Sequence, residues 1–367
     1  MTDVRPLPSD PAAITAEWLT TVLRGSGALD ADGSVASITR TPVGEGVGML
    51  SEIEFLHLTY EGAADDAPDS VVAKFPTANE QNRAVAQQYD VYRREVLYYA
   101  ELDPHNDAPG PAVHLSAMHD DGHFVIVMEN LSGYDLGDQV VGATLAQTEA
   151  GIDLLARQHA SFWGRMTEEE HGWLPRASGS FHADNMFQGA QFGWDPMLAT
   201  FGDVVPPAVR DMRDGFVATI RSLQEQLDRD PVTLTHGDFR MDNLFFGTDD
   251  EHHPVTIIDW QGPLRSRGIH DVAYLLSQST QIEVRRAHER ELVRRYVEGL
   301  AAAGVAGYGF DEAWNDYRAA VLYLWCYAVV IAGTLDSANE RGVRWMTEML
   351  RRNATAIEDL DCRSLFV

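Results

Sequence analysis

Residues 235–243 read THGDFRMDN, a polar segment between apolar flanks, with Val232 and Leu234 before it and Leu244–Phe246 after it. Polar and charged groups among apolar residues cost free energy unless they are paired or used. The concentration of carboxylate, amide, imidazole and guanidinium groups in this segment therefore indicates a functional loop.

Sixteen residues beyond Asn243, the apolar run VTII ends in Asp259. The polar residues 247–254 between the two predict a turn, and a hairpin would bring Asp259 beside Asn243. Amide and carboxylate oxygens are hard ligands that suit Mg²⁺, which takes one or two carboxylates together with substrate phosphates. Asp238 is then left over as a base. A single Asp in a loop is more often a turn or capping residue, so the assignment depends on the whole pattern.

The predicted secondary structure changes near residue 130, from mainly strands before it to mainly helices after it. Strand patterns cover residues 34–62 and 70–76, one helix is predicted from about Asn82 to Leu102, and strands return up to Met128. Helical patterns dominate beyond Leu131, including an apolar run from Ala319 to Leu335 that we interpret as a buried core helix. We expect a first domain of residues 1–131 and a second of residues 132–367.

The order H-G-D-x-x-x-x-N followed by an apolar strand ending in D-W resembles the aminoglycoside phosphotransferase and choline kinase-like family, including its ecdysteroid-kinase-like branch. That family shares the bilobal protein-kinase-like fold. The resemblance implies an α+β chain with a small β-rich N-terminal nucleotide-binding lobe and a larger, mainly helical C-terminal lobe that binds the acceptor. It also implies a small-molecule kinase that transfers the γ-phosphate of ATP or GTP to a hydroxyl group.

The resemblance requires a strand lysine that holds the nucleotide phosphates, and Lys74 in the strand VVAKF is the only lysine of the chain. Taken alone, a single lysine at the end of an apolar strand is more often a surface residue. Glu95 lies 21 residues further on, in a predicted helix, and matches the ion-pair partner of that lysine. Glu101 on the same helix is the competing acid.

Further nucleotide contacts follow from the resemblance. The glycine-rich residues 44–51 offer Gly46, Gly48 and Ser51 to the phosphates, although they do not form a G-x-G-x-x-G motif. Glu129 and Leu131, after the apolar strand 124–128, match the lobe connector whose backbone binds the nucleotide base. The glycine-rich segment also fits a plain hairpin turn.

The resemblance assigns the chemistry to four residues. Asp238 is the catalytic base, Asn243 and Asp259 hold Mg²⁺, and Arg240 either faces the transferred group or contacts Asp242. The neighbouring histidine, His236, is expected to brace the loop.

Two residues outside the loop are expected to have structural roles. His159, in a segment that resembles the family's L-A-x-x-H-A helix, is expected in the core. Asp271 is expected to be a structural acid at the start of a helix.

Composition narrows the partners. The 28 Lys and Arg residues against 56 Asp and Glu residues give a formal charge of −28, which repels nucleic acid and anionic lipid, so we expect neither as a partner. Two cysteines and no readable secretory signal favour the cytoplasm. The oligomeric state is left open.

Two other classes remain open on the residues alone. A metal-dependent hydrolase using His236, Asp238 and Asp259 leaves Lys74 and Glu95 without a role. A catalytically inactive kinase-like binding module fits less well, because every matched polar residue is present. The acceptor is undetermined, and aromatic residues of the C-terminal helices either line its site or belong to the core: Trp314, Tyr317, Tyr323, Trp325 and Tyr327.

Overall fold

A computed structural model describes residues 6–42, 50–334 and 340–367. The chain divides into two compact units. The first comprises Met1–His105, Gly110–Tyr134 and Ile258–Gln261, and the second comprises Asn106–Pro109, Asp135–Ile257 and Gly262–Val367. Ile258–Gln261, which the sequence-based division assigns to the C-terminal lobe, belongs to the first unit, while the domain boundary at residue 131 stays a prediction.

The first unit is built on one five-stranded sheet. Its elements are α1 (Ala16–Ser26), β1 (Ser34–Pro42), β2 (Ser51–Glu61), β3 (Ser70–Pro76), α2 (Glu80–Gln88), α3 (Val91–Leu97), β4 (Val113–Met118) and β5 (Phe124–Glu129). The strands lie in the order β1-β2-β3-β5-β4, and every neighbouring pair is antiparallel. The central strand β3 carries Lys74, opposite Ile53 of β2 and Ile126 of β5.

Helix α1 closes part of the core of this unit. The hydroxyl of Thr15 accepts a hydrogen bond from the backbone of Trp18 and caps the helix start, and Gly27 at φ 80° ends it. Leu19 and Leu23 belong to one buried cluster with residues of the sheet such as Val71. Their spacing of four residues places them on the same helix face.

The single helix predicted over residues 82–102 is wrong in its continuity. Asp90 adopts a left-handed conformation with φ 54°, which breaks the helix between α2 and α3. After α3 the chain continues as one π-helical turn over Tyr98–Leu102 and a short 3₁₀ turn over Asp103–His105. Aspartate tolerates this backbone conformation better than most residues do. The hydrophobic pattern of residues 82–102 contains no sign of the break.

The second unit is mainly helical. Its elements are β6 (Asp135–Leu136), α4 (Leu145–Phe162), α5 (Glu168–His171), α6 (Phe181–Phe201), α7 (Pro207–Arg210), α8 (Arg213–Leu227), β7 (Thr233–Thr235), β8 (Leu244–Phe246), β9 (Val255–Ile257), β10 (Leu264–Ser266), α9 (Ile269–Tyr274), α10 (Ile282–Ala302), α11 (Phe310–Thr334) and α12 (Glu340–Asp359). Its strands form two small sheets, β10-β7 and β6-β8-β9. The α+β class is confirmed.

The hairpin predicted after the loop 235–243 is confirmed. Strands β8 and β9 pair antiparallel, with Leu244 opposite Ile257. Asn243 immediately precedes β8, and Asp259 follows the last residue of β9 by two positions. The turn between the strands contains His252, whose ring nitrogen lies 3.1 Å from the Thr248 hydroxyl.

Helix α11 is the core helix of the second unit. Among the described residues it is the one helix long and apolar enough to cross a bilayer, and 72% of its most apolar window is buried inside the protein. Tyr317, Tyr323 and Trp325 are almost fully buried on it. The core-helix interpretation is therefore confirmed as far as Thr334, and these three rings belong to the core.

Candidate active site

The buried ammonium group of Lys74 is held by two carboxylates of the first unit. Its Nζ donates to Oε1 of Glu95 at 2.6 Å and to Oδ1 of Asp259 at 2.8 Å. Lys74 is 6% exposed and Glu95 is completely buried. The predicted Lys74–Glu95 ion pair is confirmed, and Asp259 is a third member that the sequence did not place there.

This cluster keeps Lys74 charged. Burial lowers the pKa of Lys74, but the charges of Asp259 and Glu95 outweigh it and the pKa is raised above its ordinary value. Burial raises the pKa of Glu95, against the opposing charge of Lys74. The lysine is therefore a fixed cation, placed among acids on a chain of strongly negative charge.

Asp259 has an uncommon backbone. Its φ of 68° lies in the left-handed region, where few residues other than glycine are found. The next residue, Trp260, is buried and stacks on Tyr98 at 3.7 Å between ring centroids. Tyr98 begins the π-helical turn after α3, so that turn and the tryptophan fix the segment that carries Asp259. Backbone strain of this kind persists where the surroundings hold it, which is common at functional sites.

Gln261 joins the cluster to the predicted phosphate-binding segment. Its side-chain nitrogen donates to the hydroxyl of Ser51 at 3.0 Å and to Oε2 of Glu95 at 3.3 Å. The side chain of Gln261 thus links the hydroxyl of Ser51, at the start of β2, to the carboxylate of Glu95. Gly46 and Gly48 lie outside the described residues.

The two residues predicted to bind the nucleotide base differ in what their backbones offer. The amide N–H of Glu129 donates to the carbonyl of Ala112 at 2.8 Å, and the Glu129 carboxylate accepts from the Ala112 N–H. The backbone group of Glu129 that is left for a contact with the nucleotide base is therefore its carbonyl oxygen. Leu131 is buried, and its carbonyl accepts from the N–H of Tyr134.

In the second unit, the loop 235–243 is anchored by Asp271. The carboxylate of this buried residue accepts hydrogen bonds from the backbone N–H of His236 at 2.6 Å and of Gly237 at 3.0 Å. Gly237 has φ 78°, and a Cβ there would lie 2.0 Å from the carbonyl oxygen of Gly262, so only glycine fits. The expected structural role of Asp271 is confirmed.

Two histidines complete this anchor. The Nε2 of His159 lies 3.3 Å from the Asp271 carboxylate, and its Nδ1 lies 2.8 Å from the hydroxyl of Tyr296. Burial raises the pKa of Asp271, but the hydrogen bonds and charges of His159 and His270 outweigh it and hold that pKa well below its usual range. His159 is a core histidine as expected. His236 braces the loop as expected, because its Nδ1 accepts the N–H of Asp238 at 3.2 Å.

The carboxylate of Asp238 is contacted at both oxygens. Oδ1 accepts from the hydroxyl of Tyr274 at 2.8 Å. Oδ2 accepts from Nε of Arg240 at 3.1 Å and from the side-chain nitrogen of Asn243 at 3.1 Å. The proposed base thus has a fixed orientation, while its side chain stays 34% exposed.

Arg240 contacts both acids of the loop. Besides Asp238, its guanidinium group lies 3.3 Å from Asp242, which also binds Arg341 at 3.2 Å. The guanidinium carbon lies 5.1 Å from the ring centroid of Trp345 on α12, a cation–π distance. The alternative in which Arg240 contacts Asp242 is therefore borne out, and its contact with the transferred group stays a prediction.

Two residues of this region were missed by sequence reasoning. Tyr274 lies three residues after Asp271, a spacing that shares one helix face and was the available signal. Gln139 is buried, and its side-chain oxygen accepts from the N–H of Met241 while its backbone N–H donates to Asp242. A glutamine 102 positions before Met241 gives no sequence signal for this contact.

The donor atoms fit a hard cation. The side-chain nitrogen of Asn243 donates to the carbonyl and the carboxylate of Asp238, an orientation that leaves its amide oxygen as the ligand atom. Asp259 supplies a carboxylate. Taken separately, each of these oxygens, Asn243 in the second unit and Asp259 in the first, is of the kind that Mg²⁺ takes together with nucleotide phosphates. Across residues 6–42, 50–334 and 340–367, no group of three His, Cys, Asp or Glu is arranged to hold a metal.

Solved structures define the class of fold. The aminoglycoside 2′-phosphotransferase-IIIa in its GDP complex is similar, with TM-score 0.56, 15% identity and coverage of 87% of this chain and 93% of that chain. The ethanolamine kinase of Plasmodium vivax has TM-score 0.52 at 10% identity, covering 89% and 82%, and the choline kinase of Cryptosporidium parvum has TM-score 0.54 at 8% identity, covering 89% and 91%. The fold is protein-kinase-like.

The family follows from the sequence. Residues 45–304, more than half of the chain, match the model of the ecdysteroid kinase-like family. The chain belongs to the ecdysteroid kinase-like family, and the predicted resemblance is confirmed. A search of curated proteins found no match.

Proposed function

We propose that this protein is a small-molecule kinase, which transfers the γ-phosphoryl group of ATP or GTP to a hydroxyl group of a small alcohol. The observation that carries the proposal is the buried Lys74 between Glu95 and Asp259. A buried lysine held extended by acids on a sheet strand is costly to keep, and phosphate binding explains its retention.

One set of residues is proposed to bind the nucleotide and its metal, and another to act on the acceptor. Lys74 contacts the nucleotide phosphates, and Glu95 keeps it extended and charged. Asn243 and Asp259 would hold Mg²⁺, which would supply charge neutralisation on the phosphate oxygens. Ser51 lies at the start of β2, where the predicted phosphate-binding segment ends.

Asp238 acts on the acceptor. The acceptor oxygen bonds to the γ-phosphorus while the bond from that phosphorus to the β–γ bridging oxygen breaks, and the nucleoside diphosphate leaves. The hydroxyl proton passes to the carboxylate of Asp238, and Arg240 stabilises charge on the transferred group. Catalysis in this chemistry is mainly positioning and charge stabilisation, and both the loop anchor at Asp271 and the contacts of Asp238 serve positioning.

The acceptor class stays open. The named activities of the similar structures cover aminoglycosides, choline and ethanolamine, and the family name covers ecdysteroids. Of the aromatic residues named on α11, Trp314 and Tyr327 remain candidates for the acceptor site because both are only half-buried.

A panel experiment tests the proposal. The purified full chain is incubated with Mg²⁺, ATP or GTP and one alcohol at a time from the aminoglycoside, amino-alcohol, sterol and sugar classes, and formation of ADP or GDP is measured by chromatography. We expect acceptor-dependent diphosphate formation that is lost in Asp238→Asn. Nucleotide binding without any turnover would favour an inactive binding module, and Mg²⁺-dependent ester hydrolysis without nucleotide would favour a hydrolase.

A further inference from the structure

Helix α9 contacts the loop 235–243 with two side chains from the same face. Asp271 accepts the backbone N–H groups of His236 and Gly237, and Tyr274, three residues later, donates its hydroxyl to Oδ1 of Asp238. Residues three apart on a helix lie side by side. One helical turn therefore fixes both the backbone of the loop and the orientation of its carboxylate.

The phenol of Tyr274 is confined to this contact. The residue is 1% exposed, and its ring meets the ring of Tyr327 edge-on at 6.3 Å between centroids. A distance of 2.8 Å to a carboxylate oxygen is that of a strong, charge-assisted hydrogen bond. Because the side chain is buried, water cannot easily replace the hydroxyl if it is removed.

The other hydrogen bonds of Asp238 show what the bond from Tyr274 adds. Arg240 and Asn243 both bind Oδ2, so the hydrogen bond from Tyr274 is the one that fixes Oδ1. A carboxylate held at one oxygen rotates about its Cβ–Cγ bond, whereas one held at both keeps its plane. The base then presents one direction to an incoming hydroxyl.

We propose that Tyr274 is a positioning residue for the phosphoryl transfer, which acts by fixing the carboxylate of Asp238 and does not itself touch either substrate. This inference rests on the proposed kinase function. Burial, and then the charge of Asp238, raise the pKa of Tyr274, which agrees with a phenol that remains a hydrogen-bond donor throughout the working pH range. The role explains why a buried tyrosine follows the anchoring Asp271 at this spacing.

Kinetics of Tyr274→Phe test the role, because this change removes one oxygen atom and keeps the ring. We expect kcat to fall about tenfold, with the KM values for nucleotide and acceptor within about twofold of the wild type, since an orienting hydrogen bond acts on the chemical step. Tyr323→Phe is the matched control, as this buried phenol of α11 accepts from Gln224 and has no hydrogen bond to Asp238. The control should keep the wild-type kcat.

A double-mutant cycle separates positioning from general damage to the fold. In the Asp238→Asn background, Tyr274→Phe should have almost no further effect on residual turnover, because the carboxylate it orients is gone. A full tenfold loss in that background would overturn the inference, as would equal losses in Tyr274→Phe and Tyr323→Phe.

A spectroscopic measurement tests the contact without any activity. In protein labelled with [ζ-¹³C]tyrosine, the Tyr274 signal is assigned by its loss in Tyr274→Phe. It should shift on Asp238→Asn, while the Tyr323 signal stays in place. An unmoved Tyr274 signal would overturn the inference while leaving the kinase proposal intact. A shifted signal together with a wild type that turns over no nucleotide would reject the kinase proposal, and the positioning role with it.

Discussion

Nζ of Lys74 lies 2.8 Å from Oδ1 of Asp259, although 185 positions separate the two residues in the sequence. In the proposed kinase these two groups have different ligands, because the lysine binds phosphate and the aspartate binds Mg²⁺. In that proposal, binding of nucleotide with its metal would exchange this ion pair for a contact between lysine and phosphate and a contact between carboxylate and metal. Both buried charges would then keep an opposite charge beside them.

Lys74→Met tests the phosphate contact. We expect kcat/KM to fall by roughly 100-fold, and stability to fall by about 3 kcal/mol because Glu95 and Asp259 lose their common cation. The effect on stability follows from the burial of Lys74, and the effect on kinetics follows from its proposed contact with phosphate. Steady-state kinetics and urea denaturation measure the two effects.

The double variant Lys74→Met/Glu95→Gln separates activity from stability. Replacing the buried carboxylate by an amide should recover part of the lost stability, since burial already raises the pKa of Glu95 and favours its neutral form. Activity should stay low. Recovery of activity in the double variant would reject Lys74 as the phosphate-binding residue.

Asp259→Ala tests the metal site. We expect the Mg²⁺-dependent part of ATP or GTP affinity to be lost, measured by calorimetry with and without the metal, because the variant removes the carboxylate ligand. The exposed Asp66 provides a control, Asp66→Ala, with the same change of net charge. Wild-type affinity for Mg-nucleotide in Asp259→Ala would rule out this residue as a ligand.

Asp103 gives a dependence of stability on pH. Burial raises its pKa to about 6, against a hydrogen bond from Tyr98. The folded protein therefore binds this proton more tightly than the unfolded chain does. The ionised carboxyl destabilises the fold above about pH 6. This penalty disappears as the pH falls towards about 4, the pKa of the carboxyl in the unfolded chain. Asp103→Asn should stabilise the protein by about 1 kcal/mol at pH 8, after allowance for solvent screening.

The pH series checks this assignment. Urea denaturation of the wild type and Asp103→Asn at pH 8 and pH 5 should show the advantage of the variant reduced to about half at the lower pH. An advantage that is independent of pH would mean that the amide acts by another route, for example through packing near Tyr98.

Short-range patterns were sufficient to predict much of the site. The loop 235–243 and the hairpin after it follow from polar residues between apolar segments, whereas the pair Lys74–Glu95 follows from the family resemblance. The structure confirms the hairpin and the pair. The predicted helix around Glu95 was right in type but not in continuity, because one backbone angle at Asp90 breaks it. Hydrophobic periodicity carries no information on a single residue of positive φ.

The missed contacts share a different property. Tyr274, Gln139 and Asp259 each reach their partner through the tertiary fold, across 36, 102 and 185 positions respectively. Such contacts depend on where helices and strands pack, which local propensity does not encode. The motif predicts Asp259 as a metal ligand but not as a partner of Lys74, since no pattern within either segment relates the two.

Asp238→Asn is the decisive variant for the mechanism. Asparagine keeps the size of the side chain and can still accept from Tyr274, but it has no charge with which to take the acceptor's proton. We expect phosphoryl transfer to fall by roughly 100-fold or more, in the range of general-base contributions, while Mg-nucleotide still binds.

Asp249→Asn is the matched control, because Asp249 is an exposed turn acid whose capping role asparagine retains. Transfer is measured with an identified acceptor or, before one is known, as slow nucleotide hydrolysis. A metal ligand of a hydrolase would lose metal on this substitution, and a binding module would lose nothing. Turnover near that of the wild type in Asp238→Asn would reject the kinase mechanism, because no other described residue of the loop 235–243 is oriented as a base by Tyr274 and Asn243.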